Sequence, residues 1–236
     1  MQAPLVVFIP GFMQPGEAWA PVARRVAERY PTLCLEFETH TLEGRLDEIA
    51  AAAPAGSVLA GYSMGGRLAL WAAVRDTGRF ASLVLVGSTA GIEVADQRRA
   101  RLAADLELAE RIETQPIEAT VREWERQPVF AGQSAELVEA QRPGRLAQRP
   151  ADLAELLRSA GQGALEPVWD RVASLPMPLL AIAGERDARY VAAAERLAAL
   201  APLGRAAKVP AAGHAAHLER PGLVAELVLE ALDGGN

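Results

Sequence analysis

Ser63 lies in the pentapeptide Gly61-Tyr62-Ser63-Met64-Gly65, with the apolar run SVLA before it and GRLALWAA after Gly65. Small residues two positions to either side let neighbouring backbone pass closely, and the change from an apolar run to a helical one puts the serine on a sharp strand-to-helix turn. Such a turn exposes the hydroxyl and sets a helix N-terminus beneath it, where unpaired N–H groups favour negative charge. A serine hydroxyl alone is a poor nucleophile or base. It needs an imidazole to take its proton, and the imidazole needs a carboxylate to orient it.

The chain has three histidines. His40, in EFETH, reads as a surface or loop residue. His217 either lines a pocket or simply begins the last helix. His214, in PAAGHAAHLERP, lies in a glycine-containing turn before that helix and is the histidine expected to meet Ser63. For the acid, AGERD sets Asp187 just past an apolar run, with Glu185 as its local competitor. Negative charge developing on a substrate oxygen would need two donors. The turn PGFMQPGEAW (10–19) can aim the N–H of Phe12 into the cleft, a plain strand-ending loop being the alternative, and the N–H of Met64 supplies the second. No closely spaced His, Cys and carboxylate set points to a metal, because His214 and His217 lack a third ligand. No cofactor is expected.

These residues must be held by a scaffold, and the pattern of the chain describes one. Apolar runs at 5–9, 32–37, 57–61, 82–87 and 178–184, with a weaker one at 206–210, read as buried strands. Stretches of helical composition at 17–30, 42–53, 65–78, 190–201 and 221–232 separate or follow them. Strand–helix alternation predicts an α/β fold with a mainly parallel sheet of about six to seven strands covered on both faces. Between Gly87 and Met177 the alternation stops, and helical stretches at 95–112, 117–127, 136–142 and 151–161 replace it. The expectation is one domain over 1–236 with a helical cap inserted at 92–172.

Half of the 236 residues are hydrophobic, enough for a sizeable core, and the formal net charge is -6. That charge argues against nucleic acid as a partner but not against a small anion bound in a locally positive cleft. Cys34 is the only cysteine, so an intrachain disulfide is excluded. MQAPLVVFIPGF has no basic leader, and no apolar run approaches the roughly 18 residues of a membrane span. A soluble, cytoplasmic protein is expected, with no signal for its oligomeric state. Lys208 is the only lysine among 24 basic residues, so arginine by itself is weak evidence of anion binding here.

The order Ser63, Asp187, His214 and the strand–turn–helix setting of the serine resemble the α/β-hydrolase superfamily over nearly the whole chain. More narrowly, GYSMGGRLAL, the ADQRRAR run, EWERQPVFA, AGERD and GHAAHLERP look like the menaquinone-pathway 2-succinyl-6-hydroxy-2,4-cyclohexadiene-1-carboxylate synthase family, the MenH type. The elbow and GERD are shared by many hydrolases, whereas WERQPVFA and the GHxAH form are more specific. The resemblance implies a lyase on a hydrolase fold, acting on a small substrate with several carboxylates by proton abstraction and pyruvate elimination. It implies a catalytic set of Ser63, Asp187 and His214, substrate-binding Arg67, Arg101 and Arg142, and pocket residues Tyr62, Trp124 and Phe130.

Guanidinium forks suit that substrate, since they bind carboxylates bidentately and keep their charge when partly buried. Arg67 stands one helical turn after Ser63 and can face the same cleft. Arg101 and Arg142 have ordinary solvated helix faces as the alternative, and Trp124 and Phe130 have packing. Two segments depart from the family pattern. Pro10-Gly11 stands where His-Gly is usual, leaving a backbone donor at Phe12 but no side-chain donor at position 10. EFETHTLEG stands where Asp-x-x-Gly-His-Gly is usual. A carboxylic-ester or enol-lactone hydrolase working through an acyl-enzyme is the second reading, and a non-catalytic ligand receptor is the third.

Overall fold

The computed structural model describes residues 3–234. In chain order its elements are β1 (Val6–Ile9), α1 (Ala20–Val26), β2 (Thr32–Cys34), α2 (Leu42–Ala52), β3 (Val58–Tyr62), α3 (Met64–Arg75) and β4 (Ser82–Val86). There follow α4 (Ala95–Thr114), α5 (Ile117–Glu125), α6 (Ala135–Leu146), α7 (Pro150–Ala160) and α8 (Trp169–Val172). The chain then resumes alternation with β5 (Leu179–Gly184), α9 (Ala188–Leu200), β6 (Gly204–Val209), α10 (Ala216–Glu219) and α11 (Pro221–Asp233). The six strands form one sheet in the order β2-β1-β3-β4-β5-β6, every neighbouring pair parallel. This is the α/β arrangement with a parallel sheet that the pattern predicts.

Successive residues of a strand point to opposite faces, and here both faces are covered. Val7 and Ile9 pack with Leu59, Leu83 and Leu85 against α2, α3 and α9, whereas Val6 and Phe8 pack with Val84, Val86 and Ile182 against α1 and α11. That two-sided burial is why the strands read as continuous apolar runs. β2 is shorter than its apolar run. After Leu35 donates its N–H to the Phe8 carbonyl, the chain turns away, and the Glu36 carboxylate accepts the N–H of Gly16 at 2.5 Å.

A parallel sheet gathers the carboxyl ends of its strands on one edge, and the loops that leave them form a crevice. Ser63 follows β3 directly, Asp187 lies three residues beyond β5, His214 five beyond β6 and Phe12 three beyond β1. The turn at Ser63 depends on missing side chains. A Cβ on Gly61 would overlap the Gly65 carbonyl, and one on Gly65 would overlap the carbonyl oxygens of Ile9 and Pro10. Alanine is the better helix former by about 1 kcal/mol, but a clash with two fixed carbonyls outweighs that. Gly65→Ala is therefore expected to destabilise the fold by about 3 kcal/mol, read as a lower urea midpoint. Gly222→Ala, in the first turn of α11 with only the Arg25 side chain at 3.5 Å, is expected to leave stability unchanged or raise it by up to about 1 kcal/mol.

Candidate active site

Ser63 occupies a backbone conformation, φ 50 and ψ -108, that side-chain-bearing residues rarely adopt. The strain is held by bonds on both sides. The Ser63 N–H donates to the Val86 carbonyl at 2.9 Å, and its carbonyl accepts from the Arg67 N–H and the Ser88 hydroxyl, each at 3.1 Å. Met64 begins α3, so its N–H has no acceptor within the helix. The Phe12 N–H likewise meets no protein acceptor among the described residues.

The Ser63 Oγ lies 3.1 Å from His214 Nε2, and His214 Nδ1 lies 2.8 Å from Asp187 Oδ2. With the Nδ1 proton directed at Asp187, Nε2 is left to take the proton of the serine hydroxyl. The loop carrying His214 approaches closely because glycines line its path. A side chain on Gly87 would reach the His214 carbonyl at 2.9 Å, and one on Gly184 would overlap the carbonyls of Ala212 and Gly213. Glu219 secures the loop from below, accepting the Gly213 N–H at 2.7 Å. Glu185 and Asp187 have separate tasks. Glu185 accepts the Ala211 N–H at 3.0 Å in the turn after β6, while Asp187 caps α9 by accepting the Tyr190 N–H at 3.4 Å.

Around His214 stand Tyr190, Tyr62 and Phe130, with ring centroids 4.4, 5.2 and 6.4 Å from the imidazole. Tyr62 is buried, which holds its phenol well above the ordinary pKa. Its ring lies flush against the first loop, where a Cβ on Gly11 would sit 2.6 Å away. Trp124 bridges Phe12 and Phe130, at 5.1 and 5.6 Å between ring centres. These side chains, with Ser63, His214 and Asp187, line a cavity of about 530 Å³.

Five arginines line the same cavity: Arg67, Arg101, Arg111, Arg145 and Arg189. Arg67 is only 6% exposed, and its Nε has no partner among the described residues. Burial lowers its pKa, with further lowering from Arg101 and Arg189. No carboxylate pairs with it among the described residues, although Asp105 is near enough to favour its charged form. Arg101 is tethered, its Nε to Asp105 at 2.7 Å and its Nη1 to Gln162 at 2.9 Å.

Arg142, expected beside the substrate, does not line this cavity. It lies in a separate surface groove between α5 and α6 and is held there by Glu125, at 2.6 Å, and by Glu139. The Glu125 side chain is 7% exposed and needs a cation, and it also takes Arg145 at 3.2 Å. Of the two arginines on α6 it is Arg145, buried and also donating to Gln141 at 2.7 Å, that reaches the cavity wall. The sequence carried hints of what was missed. Arg101, Asp105, Leu108 and Arg111 recur at helical spacing on the cavity face of α4, and Arg145 is one turn beyond Arg142.

Within residues 6–227 the chain matches the family described as the alpha/beta hydrolase family. The chain belongs to that family. It is 38% identical over 177 residues to a putative 2-succinyl-6-hydroxy-2,4-cyclohexadiene-1-carboxylate synthase of Bacillus subtilis, a match covering 74% of this chain and 65% of that protein. It is 33% identical over 174 residues to the synthase of that name from Escherichia coli O1:K1, covering 72% and 66%. The aligned segment thus spans just under two thirds of these relatives' own length. The solved structure of MenH from S. aureus superposes with a TM-score of 0.92 at 25% identity, covering all of this chain and 95% of that one.

His217, three residues beyond His214, does not line the cavity. It is wholly buried between Tyr62, at 4.1 Å between ring centres, and Trp19, at 4.5 Å, and neither ring nitrogen has a partner among the described residues. Burial, with a smaller contribution from His214, lowers its pKa to about 3. The unfolded chain titrates near the ordinary value of about 6.5, so between there and about 3 it takes up a proton that the folded chain refuses. This contribution to stability is complete above the unfolded value and is lost as pH falls through the window, at up to about 1.4 kcal/mol per pH unit. His217→Phe keeps an aromatic ring between Trp19 and Tyr62, and is expected to flatten the dependence of unfolding free energy on pH from 7 down to about 4. Urea titrations of both proteins at several pH values measure the difference.

Proposed function

We propose that the protein is a cofactor-independent lyase of the MenH type, which eliminates pyruvate from a small polycarboxylate on the way to 2-succinyl-6-hydroxy-2,4-cyclohexadiene-1-carboxylate. The observation that carries this reading is a buried guanidinium, Arg67, without a carboxylate partner among the described residues, on the wall of the cavity into which Ser63 opens. A buried cation is costly unless an anion meets it, and a neutral ester would not supply one. The similarity to the B. subtilis and E. coli synthases supports the same substrate class.

In this reading His214, oriented by Asp187, draws the proton from Ser63, and the Ser63–His214 pair takes a proton from a substrate carbon. The electron pair left behind expels the pyruvate enolate by breaking its C–O bond, and the enolate regains a proton from the imidazolium. The N–H groups of Phe12 and Met64 hold the negative charge that develops on a substrate oxygen. Arg67 binds a carboxylate bidentately, with Arg101 and Arg145, held by their own protein partners, adding positive charge to the wall, while Tyr62, Trp124 and Phe130 enclose the ring. Residues 92–172 act as a cap that excludes water from the crevice. The proposed setting is the cytoplasm.

The test offers the pyruvate-bearing precursor and p-nitrophenyl esters to the same protein and follows pyruvate through a coupled assay. Pyruvate release is expected, and efficient ester turnover without pyruvate would instead favour the hydrolase reading. Ser63→Ala and Asp187→Asn are each expected to lower kcat by about 10³–10⁴ while leaving the fold intact by circular dichroism. Arg67→Gln is expected to raise KM for the polycarboxylate by at least about tenfold, a larger loss than for a neutral ester. Equal losses on both substrates would remove the role given to Arg67.

A further inference from the structure

We infer that Arg189 is a specificity-determining residue, its guanidinium binding a second carboxylate of a polyanion whose first carboxylate sits on Arg67. The inference rests on the reading of the cavity as a polycarboxylate site and assigns to it a cation that the sequence motifs did not single out.

Exposed arginines in this chain divide between those that meet a carboxylate and those, such as Arg24, Arg122, Arg126 and Arg186, that meet none among the described residues, so it is the place of Arg189 on the cavity wall that sets it apart. Arg29, Arg75, Arg158, Arg196 and Arg205 all pair with Asp or Glu. Arg189 is exposed, lines the cavity and pairs with none among the described residues. It stands on the first turn of α9, between Asp187, which bonds His214, and Tyr190, whose ring packs against that imidazole. The turn that carries the acid therefore also sets this cation on the cavity wall, its guanidinium carbon 5.7 Å from the centre of the Tyr190 ring.

Arg67, Arg101 and Arg189 share one space, and their mutual repulsion is felt at Arg67, where the charges of both neighbours add to the effect of burial. The nearby carboxylate, Asp105, is already engaged by Arg101 Nε and by the Gly163 N–H at 3.0 Å. A ligand with two or more carboxylates would relieve this imbalance, and one with a single carboxylate would leave Arg189 unmet. Arg111 is a natural comparison. It too is exposed, lines the cavity and has no carboxylate partner among the described residues, but it lies ten residues beyond Arg101, about 15 Å along α4.

The experiment is calorimetric titration of the full chain with butyrate, succinate and propane-1,2,3-tricarboxylate, at low and at physiological ionic strength. Arg189→Gln is expected to weaken the di- and tricarboxylates about tenfold and butyrate about twofold at most, with part of the loss recovered in Arg189→Lys. Arg111→Gln is expected to cost less than Arg189→Gln. The inference is overturned if Arg189→Gln binds succinate as the unaltered chain does, or if both variants lose equally and the loss vanishes at physiological salt, the mark of a diffuse field. Loss of carboxylate binding in Arg67→Gln but not in Arg189→Gln would sink this inference and spare the reading beneath it. Failure of the unaltered chain to bind any of the three anions would sink both.

Discussion

The meeting of two pieces of backbone, the first turn of α3 and the carbonyls that end β1, governs everything built above it. Because Gly61 and Gly65 present no side chain, the chain leaving β3 reverses into α3 within one residue, and that residue is Ser63 at φ 50. The strain is offset by the bonds that tie Ser63 to β4 and by the apolar packing of α3 against the sheet. From that one placement follow the exposure of the hydroxyl, the free N–H of Met64 beside it and the fourth-residue position of Arg67 on the cavity wall. The histidine comes from 151 residues further along the chain, and it reaches the serine because glycines at the ends of β4 and β5 leave room for its loop.

Electrostatics sets the second constraint. The protein as a whole is acidic, yet five arginines face one cavity with Asp105 and Asp187 as the carboxylates among them. Asp187 is committed to His214, and Asp105 to Arg101 and Gly163. Net charge describes behaviour in bulk solution, whereas the field in a crevice is set by the few groups that line it. Glu125 shows the same economy at the outer wall, holding Arg142 on the surface and Arg145 within.

The four central strands were legible in the sequence because a strand buried on both faces has to be apolar throughout, whereas the edge strands β2 and β6 are partly exposed and only overlap their apolar runs. The motif around Ser63 was legible because its glycines answer a steric demand with no other solution. Asp187 and His214 could be read from their positions after late strands, and the structure separates the two acids because Asp187 meets His214 Nδ1 while Glu185 is taken by the Ala211 N–H. The arginines were harder. In a chain with a single lysine, residue type carries little information, and which face of α4 or α6 turns inward depends on packing that no short motif encodes. Arg142 was therefore expected where Arg145 stands, and Arg111 and Arg189 passed unnoticed. The burial of His217 also lay beyond the sequence, since GHAAH gives no sign that the second imidazole packs between two aromatic rings.

The unpaired charge at Arg67 couples the durability of the molecule to the composition of its surroundings. A protein that must keep an unmet cation inside is less resistant to unfolding when empty than when an anion fills the crevice, and the difference grows with the logarithm of ligand concentration.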